Sequence, residues 1–263
     1  MSDRPGPDLP QALREQTLAR FEAHRRTWNA NPALRMSYAG WYHRLRQAMP
    51  AQALGPWIEL GSGPGFARDF IPELLLTDVV QAPWHDRSMS ADALAFEDGS
   101  VGALVLFDVL HHLASPAAFF TEATRVLRPG GRILLCEPYI GPLSRWIYGC
   151  FHEEPVDMSV DPLVDIVGPV DGAKDPFASN QATPTLAFCR DRGRKFSRMF
   201  PRLGVLSIEC MAGPSYVATG GFSRRPLLPW WLWRSLYAFE GLLPKFVFRL
   251  VGFRLLVVIE RRR

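Results

Sequence analysis

The residues most able to do chemistry begin with an acid and a run of glycines. Glu59-Leu60-Gly61-Ser62-Gly63-Pro64-Gly65 follows a short apolar run that starts at Trp57, and Asp78 closes the next apolar run 17 residues beyond Gly61. Glycines in such a turn let the backbone approach a ligand closely and tolerate positive φ. A carboxylate at the position of Asp78 can accept hydrogen bonds from the two hydroxyls of a ribose. A dinucleotide fingerprint would need a third glycine at position 66, where the chain has Phe66, and Glu59 beside the loop serves a pyrophosphate poorly. The acid instead suits a cationic ligand, such as the ammonium of a methionine moiety.

A second group comprises Asp108, His111, His112 and Glu137, all placed near the carboxyl ends of predicted strands. Each has a functional reading as a general base and a structural one. The histidine pair can shape a pocket without reacting. Asp108 can cap the turn that follows it, and Glu137-Pro138 reads as a strand terminus with a polar contact at a pocket mouth. His152, Glu153, Glu154 and Asp157 match no regular ligand spacing and read as a solvated acidic loop, so no metal is expected. Cys136, Cys150, Cys189 and Cys210 have no CxxC spacing, which suggests neither zinc nor a disulfide framework.

These residues need elements to hold them. Residues 9–49 carry Leu13, Leu18, Phe21, Trp28, Leu34, Tyr38, Trp41, Tyr42 and Leu45 at mostly helical spacing, broken near Asn31-Pro32, which predicts two lid helices within residues 1–50. From Trp57 onward short apolar runs alternate with helical stretches and turn signals, the texture of a parallel α/β sheet. Predicted strands are Trp57–Leu60, Leu74–Val79, Ser88–Ala91, Ala103–Asp108 and Arg132–Glu137, with Val205–Met211 and Phe253–Ile259 later. A helix should start within Gly65–Pro72; a clearer one spans Pro116–Leu127, capped by Ser115 and ended by Pro129-Gly130-Gly131. Only Val80–Arg87 separates the second strand from the third, too little for a full crossover helix. Residues 138–200, rich in Pro, Asp and Gly, read as an insertion on the substrate side of a domain spanning 51–263.

Composition narrows the function classes. The chain has 263 residues, 48% of them hydrophobic, and a formal charge of +4. Its cations are scattered, apart from the run at 261–263, so nucleic acid is permitted and not indicated. The first ten residues, MSDRPGPDLP, lack the apolar stretch of a secretory signal, and no run approaches the roughly 20 apolar residues of a spanning helix. A cytoplasmic protein is therefore expected. Within residues 226–250 the aromatics, Trp230, Trp231 and Trp233 among them, mix with Arg234, Lys245 and Arg249. That helix, predicted over Pro229–Leu243, either packs on the sheet between the last two strands or presents a face to a membrane surface or an apolar substrate. The two can hold together.

Taken jointly, WIELGSGPG, LLLTDVV, DALAFEDGSVGALVLFDVLHHL and RVLRPGGRILLCEP resemble the sequence motifs of class I S-adenosylmethionine-dependent methyltransferases of the type 11 group, over residues 57–138. The resemblance implies a Rossmann-like fold, a mostly parallel seven-stranded sheet with helices on both faces. It also implies S-adenosylmethionine as cofactor, with Gly61, Ser62, Gly63 and Gly65 along its methionine and ribose and Glu59 near its amino group. Asp78 would take the ribose and Val79 lie against the adenine. The acid that contacts the adenine amine in relatives falls at Ser90, with Asp92 two places later; one of the two has that role. Ala91 and Phe107 join the cofactor set. His111 follows the fourth strand, where relatives line the methyl-donor pocket, and is the first choice among the candidate bases.

The leading expectation is methyl transfer to a small molecule, on oxygen, with a hydrophobic, lipid-linked or glycan acceptor. The competing reading is a catalytically silent accessory protein of the same fold that binds a partner or a membrane surface. A nicotinamide-dependent oxidoreductase is disfavoured by Phe66.

Overall fold

The structure, a computed structural model, describes residues 9–51, 54–151, 155–164 and 179–263. The helical periodicity of the N-terminal region yields α1 (Gln11–Ala30) and α2 (Pro32–Ala48), which meet at Asn31. Asn31 Oδ1 accepts from the Leu34 amide at 3.1 Å, and its Nδ2 donates to the carbonyl of Thr219 at 2.9 Å. One side chain thus caps α2 and ties it to a segment far along the chain. Pro32 opens α2 at a position whose N–H would have no helical partner.

Seven strands form one sheet: β1 (Trp57–Leu60), β2 (Leu74–Asp78), β3 (Arg87–Ser88), β4 (Val101–Phe107), β5 (Leu127–Pro138), β6 (Leu203–Met211) and β7 (Arg254–Arg261). Their order is β3-β2-β1-β4-β5-β7-β6. Strands β1 to β5 run parallel, and β7 lies antiparallel between β5 and β6. Since β5 and β6 both oppose β7, they point the same way; Pro138 and Met211 each pair with Arg254. The carboxyl ends of β1, β2, β4, β5 and β6 therefore share one edge with the start of β7. The reversal of strand order at β1 and β4 puts a crevice at that edge, where open α/β sheets bind ligands.

Alternation of side chains along the strands feeds two cores. On one face α3 (Pro116–Val126), α5 (Thr183–Phe188) and α6 (Arg194–Met199) bring Phe119, Phe120, Phe188 and Phe196 against Ile58, Leu104 and Ile133. On the other, α2 lays Leu34, Tyr38, Trp41 and Leu45 over Trp57, Leu76 and Val105. Each such buried side chain contributes about 1.5–3 kcal/mol relative to exposure. The expected sheet, mostly parallel with helices on both faces, is present.

Several local expectations are corrected. The stretch after Gly65 gives only a 3-10 turn, Phe66–Asp69, because Phe66, Ala67 and Ile71 turn inward onto the α2 face and Pro72 interrupts. The third strand is the two-residue Arg87–Ser88, with Ser90 bridged to Ala93 beyond it. Ser115 caps α3 as expected, its Oγ accepting from Ala118 N at 3.2 Å. Yet Pro129-Gly130-Gly131 does not form the helix end: α3 stops at Val126, and β5 begins at Leu127 and runs through the glycines. The insertion contains α4 (Pro142–Phe151) as well as α5 and α6, and His152, Glu153 and Glu154 lie outside the described residues, as do residues 1–8. Between β6 and β7 come α7 (Pro214–Ala218), α8 (Trp230–Gly241) and α9 (Phe248–Val251). Among the described residues, no helix is long and apolar enough to cross a membrane.

Candidate active site

The glycine-rich turn after β1 is held open by backbone geometry. Gly61, Gly63 and Gly65 take φ of 65°, 49° and 79°. A Cβ at Gly61 would sit 2.6 Å from Val109 Cγ2, and one at Gly65 would sit 2.6 Å from Trp84 Cδ1. Ser62 locks the turn to β2: its amide donates to the Thr77 carbonyl at 2.9 Å and its Oγ accepts from Thr77 N at 3.1 Å. Asp78 closes the loop from the other side. Its Oδ2 accepts from Gly63 N at 2.8 Å and its Oδ1 from Val80 N at 2.9 Å. Burial raises the Asp78 carboxyl, with the Val80 amide, His85 and the Gly63 amide opposing.

Two aromatic side chains that sequence reasoning missed complete the loop. Trp84 Nε1 and His85 Nε2 both lie 2.7 Å from the Gly63 carbonyl. His85 Nδ1 lies 3.1 Å from both the Ala82 amide and the Val80 carbonyl, so each ring nitrogen is within hydrogen-bond reach of a backbone carbonyl. From α1, Arg25 Nη1 donates to the Pro64 carbonyl at 2.8 Å and its guanidinium stacks 4.4 Å from the Trp84 ring centroid. The only sequence signal for these contacts was the shortness of Val80–Arg87, which forces its side chains back onto the loop.

Glu59 is buried, 2% exposed, at the end of β1. Tyr42 donates its hydroxyl to Glu59 Oε1 at 3.2 Å, while Oε2 is buried with no hydrogen-bond partner. Burial pushes the carboxyl up to about 7 from an ordinary 4.5; the charge of Asp78 adds to this, and hydrogen bonds from Ser62 and Tyr42 oppose it. An orphaned buried acceptor is costly unless a donor arrives. A cationic ammonium meets that need, so the residues present fit the methionine end of S-adenosylmethionine.

Beside the loop, β4 and β5 deliver a second cluster. Asp108, His111 and Glu137 are close enough for one ligand atom of each to lie within 4.8 Å of the others. Their hydrogen bonds account for the arrangement. Glu137 is fully buried; its Oε1 accepts from Val109 N at 2.9 Å and Leu110 N at 2.8 Å, and its Oε2 accepts from His111 Nδ1 at 2.6 Å. Glu137, therefore, and not Asp108, caps the turn after β4. Asp108, at φ 58°, pairs instead with the buried Arg254 of β7. Arg254 stacks on Trp41, Tyr216 and Phe107, with its Cζ 4.8, 5.1 and 5.4 Å from their ring centroids. A single Arg at the start of an apolar strand was the sequence signal, since such a charge must find a partner.

The other expected residues are placed less centrally. Phe107 lies under Tyr38 and Tyr42 of α2, with ring centroids 4.9 and 4.8 Å away. Val79 packs with Phe21 and Trp84, whereas Ala91 sits in the core of the opposite sheet face. Ser90 Oγ donates to Asp92 Oδ1 at 2.5 Å, and the pair is joined to the site through Met89 N, which donates to the Asp78 carbonyl at 2.9 Å. His112 packs against His111 with the rings tilted and their centroids 4.2 Å apart. Asp157, the described member of the acidic stretch, accepts from Ser159 N and Oγ on the surface.

The glycine loop, Asp78 and the turn after β4 all fall within residues 59–135, which match the family described as a methyltransferase domain, type 11. Residues 59–135 carry a methyltransferase domain. The donor of that domain is S-adenosylmethionine. A 45-residue stretch of the chain is 51% identical to an uncharacterized 37.1 kDa protein in transposon TN4556 of Streptomyces fradiae, covering 17% of this chain and 13% of that protein. The fold is similar to geranyl diphosphate C-methyltransferase from Streptomyces coelicolor A3(2), at 15% identity over 84% of this chain and 78% of that one, with a TM-score of 0.47. It is similar also to the YcgJ protein from Bacillus subtilis, at 14% identity, over 84% of this chain and 97% of that one, with a TM-score of 0.43.

Proposed function

We propose that the chain transfers the methyl group of S-adenosylmethionine to an oxygen of a hydrophobic, lipid-linked or glycan small molecule. The observation that carries the acceptor chemistry is the buried His111–Glu137 pair, 2.6 Å apart, next to the glycine loop. The cofactor supplies an electrophilic methyl on a sulfonium, so much of the rate comes from holding donor and acceptor in line. Glu59 binds the ammonium, Gly61 to Gly65 follow the methionine and ribose, and Asp78 takes the ribose hydroxyls with the lone pairs left by Gly63 and Val80. Ser90 or Asp92 takes the adenine amine. Phe21 and Arg25 of α1 cover the glycine loop, and Asn180 of the insertion donates its backbone amide to the His111 carbonyl at 3.0 Å.

A hydroxyl acceptor arrives protonated and needs a base. With Nδ1–H donated to Glu137, His111 carries its lone pair on Nε2, the nitrogen that takes the acceptor's proton. Glu137 then faces a developing imidazolium and stabilises it at contact distance in a buried setting. Such assistance is worth about 10²–10⁴ in rate.

Calorimetry with S-adenosylmethionine and S-adenosylhomocysteine, with NADH and NADPH as controls, tests the donor. Micromolar binding of the first pair alone is expected; binding of a nicotinamide alone would overturn the reading. Once labelled donor identifies an acceptor in cell extracts, loss of turnover in His111→Ala with retained donor binding tests the base.

A further inference from the structure

The chain between β6 and β7 leaves and re-enters the sheet at the edge that bears the site, because Met211 and Arg254 pair with each other there. Within it, α8 is anchored by one face. Trp233 Nε1 donates to the Ser215 carbonyl at 2.8 Å, Tyr237 stacks on Trp233 at 5.0 Å, and Glu240 accepts from Gly213 N, Ser215 N and Ser215 Oγ at 3.2, 2.6 and 2.6 Å. Positions 233, 237 and 240 share one side of a helix. The rest faces outward: Trp230, Trp231, Phe239, Leu242, Phe246 and Leu250 are all exposed, Trp231 by 69%, Phe246 by 67% and Leu242 by 83%. Soluble monomers rarely leave so many large apolar groups together without a use.

The charges around them have one sign. Between 224 and 250 the cations are Arg224, Arg225, Arg234, Lys245 and Arg249, all exposed, and the single acid, Glu240, is buried under its three hydrogen bonds. Lys245 is partly offset by Glu209 at 3.3 Å. Indoles flanked by cations on an exposed short helix are the chemistry of a bilayer interface, where rings sit at headgroup level and cations meet anionic lipid.

We infer that residues 224–250 dock the protein on an anionic phospholipid surface, with α8 lying in the plane of the interface. The site then faces the bilayer, and the acceptor is an amphiphile taken from it; this last clause rests on the methyltransferase reading, whereas the docking does not. Flotation of the full chain with vesicles of phosphatidylcholine, alone or with about a third phosphatidylglycerol, tests it. Binding to the anionic vesicles is expected, weakened roughly tenfold or more by high salt and by roughly 100-fold in Trp231→Glu/Leu242→Glu. Circular dichroism and S-adenosylhomocysteine affinity should stay unchanged in that variant, since neither residue touches the site. Failure to float with either vesicle, flotation indifferent to the double variant, or a dimer in light scattering that the variant converts to monomer would each overturn the docking. Loss of homocysteine-ligand binding in the unaltered protein would overturn the reaction and leave the docking standing.

Discussion

Glu59 offers the sharpest quantitative handle on the site. Its carboxyl is pushed up to about 7 from 4.5 by burial, so between these values the folded state holds a proton that the unfolded chain has released. The associated stability is fully present below 4.5, is lost as pH rises toward 7, and is gone above it; the difference corresponds to about 3 kcal/mol. Glu59→Gln cannot ionise and keeps an oxygen for Tyr42. Urea unfolding of both proteins from pH 5 to pH 8 should therefore show the variant gaining on the wild type by about 2.5 kcal/mol across the range. Ligand binding should run the other way. An ammonium favours the ionised carboxylate, so S-adenosylhomocysteine affinity should rise by up to tenfold per pH unit toward 7 and then level, with proton release visible in buffers of different ionisation heat. The Gln variant should bind about 1.5–3 kcal/mol more weakly above pH 7 and show no such slope. Parallel stability curves for the two proteins would refute the burial argument, and a pH-independent wild-type affinity would refute the ammonium contact.

Other substitutions probe separate parts of the site. Glu137→Gln keeps an oxygen for the Val109 and Leu110 amides but turns an NH₂ toward His111, so the imidazole proton should move to Nε2; nitrogen NMR of His111 reports the tautomer, and turnover should fall by about 10²–10⁴. Asp78→Ala frees the Gly63 and Val80 amides and should weaken donor binding by about 1–3 kcal/mol in calorimetry. Gly61→Ala combines a left-handed backbone with a Cβ 2.6 Å from Val109 Cγ2, and should lower unfolding free energy by about 1–2 kcal/mol from the backbone alone.

What the sequence disclosed follows from locality. β1 was legible to the residue because Trp57–Leu60 is a short apolar run bounded by turn residues, and the glycine loop and Asp78 sit at its end and at the end of the next. The Ser115 cap of α3 was legible for the same reason, as its partner is three residues away. Gly130 and Gly131 misled because Pro and Gly after a helix also suit the irregular first turn of a strand, and only the pairing of Leu127 with Val101 settles the matter. The Glu137 cap joins residues 27 and 28 positions apart, Asp108 and Arg254 are 146 apart, and Tyr42 reaches Glu59 across two elements. No periodicity encodes such pairs. The aromatic helix was legible as a helix, but its exposure depended on where its two ends leave the sheet.

The short crossover after β1 has a structural consequence for the site. With only a 3-10 turn at Phe66–Asp69, the β1–β2 connection cannot cover its face of the sheet, and α2 takes that place. Seven of the 17 residues of α2 are buried, among them Tyr38, Trp41 and Tyr42, which also pack on Phe107 and reach Glu59 and Arg254. It is core and site wall at once, so it cannot swing away without exposing the sheet. In α1 three of 20 residues are buried, and it holds the loop region through Phe21 beside Gly63 and His85, Arg25 on Pro64 and Trp84, and Trp28 stacked on Phe66 at 4.0 Å. Opening free energies follow buried apolar contact. Access to the donor loop is thus cheapest at α1, while α2 keeps the Glu59 carboxylate and the Asp108–Arg254 pair in place.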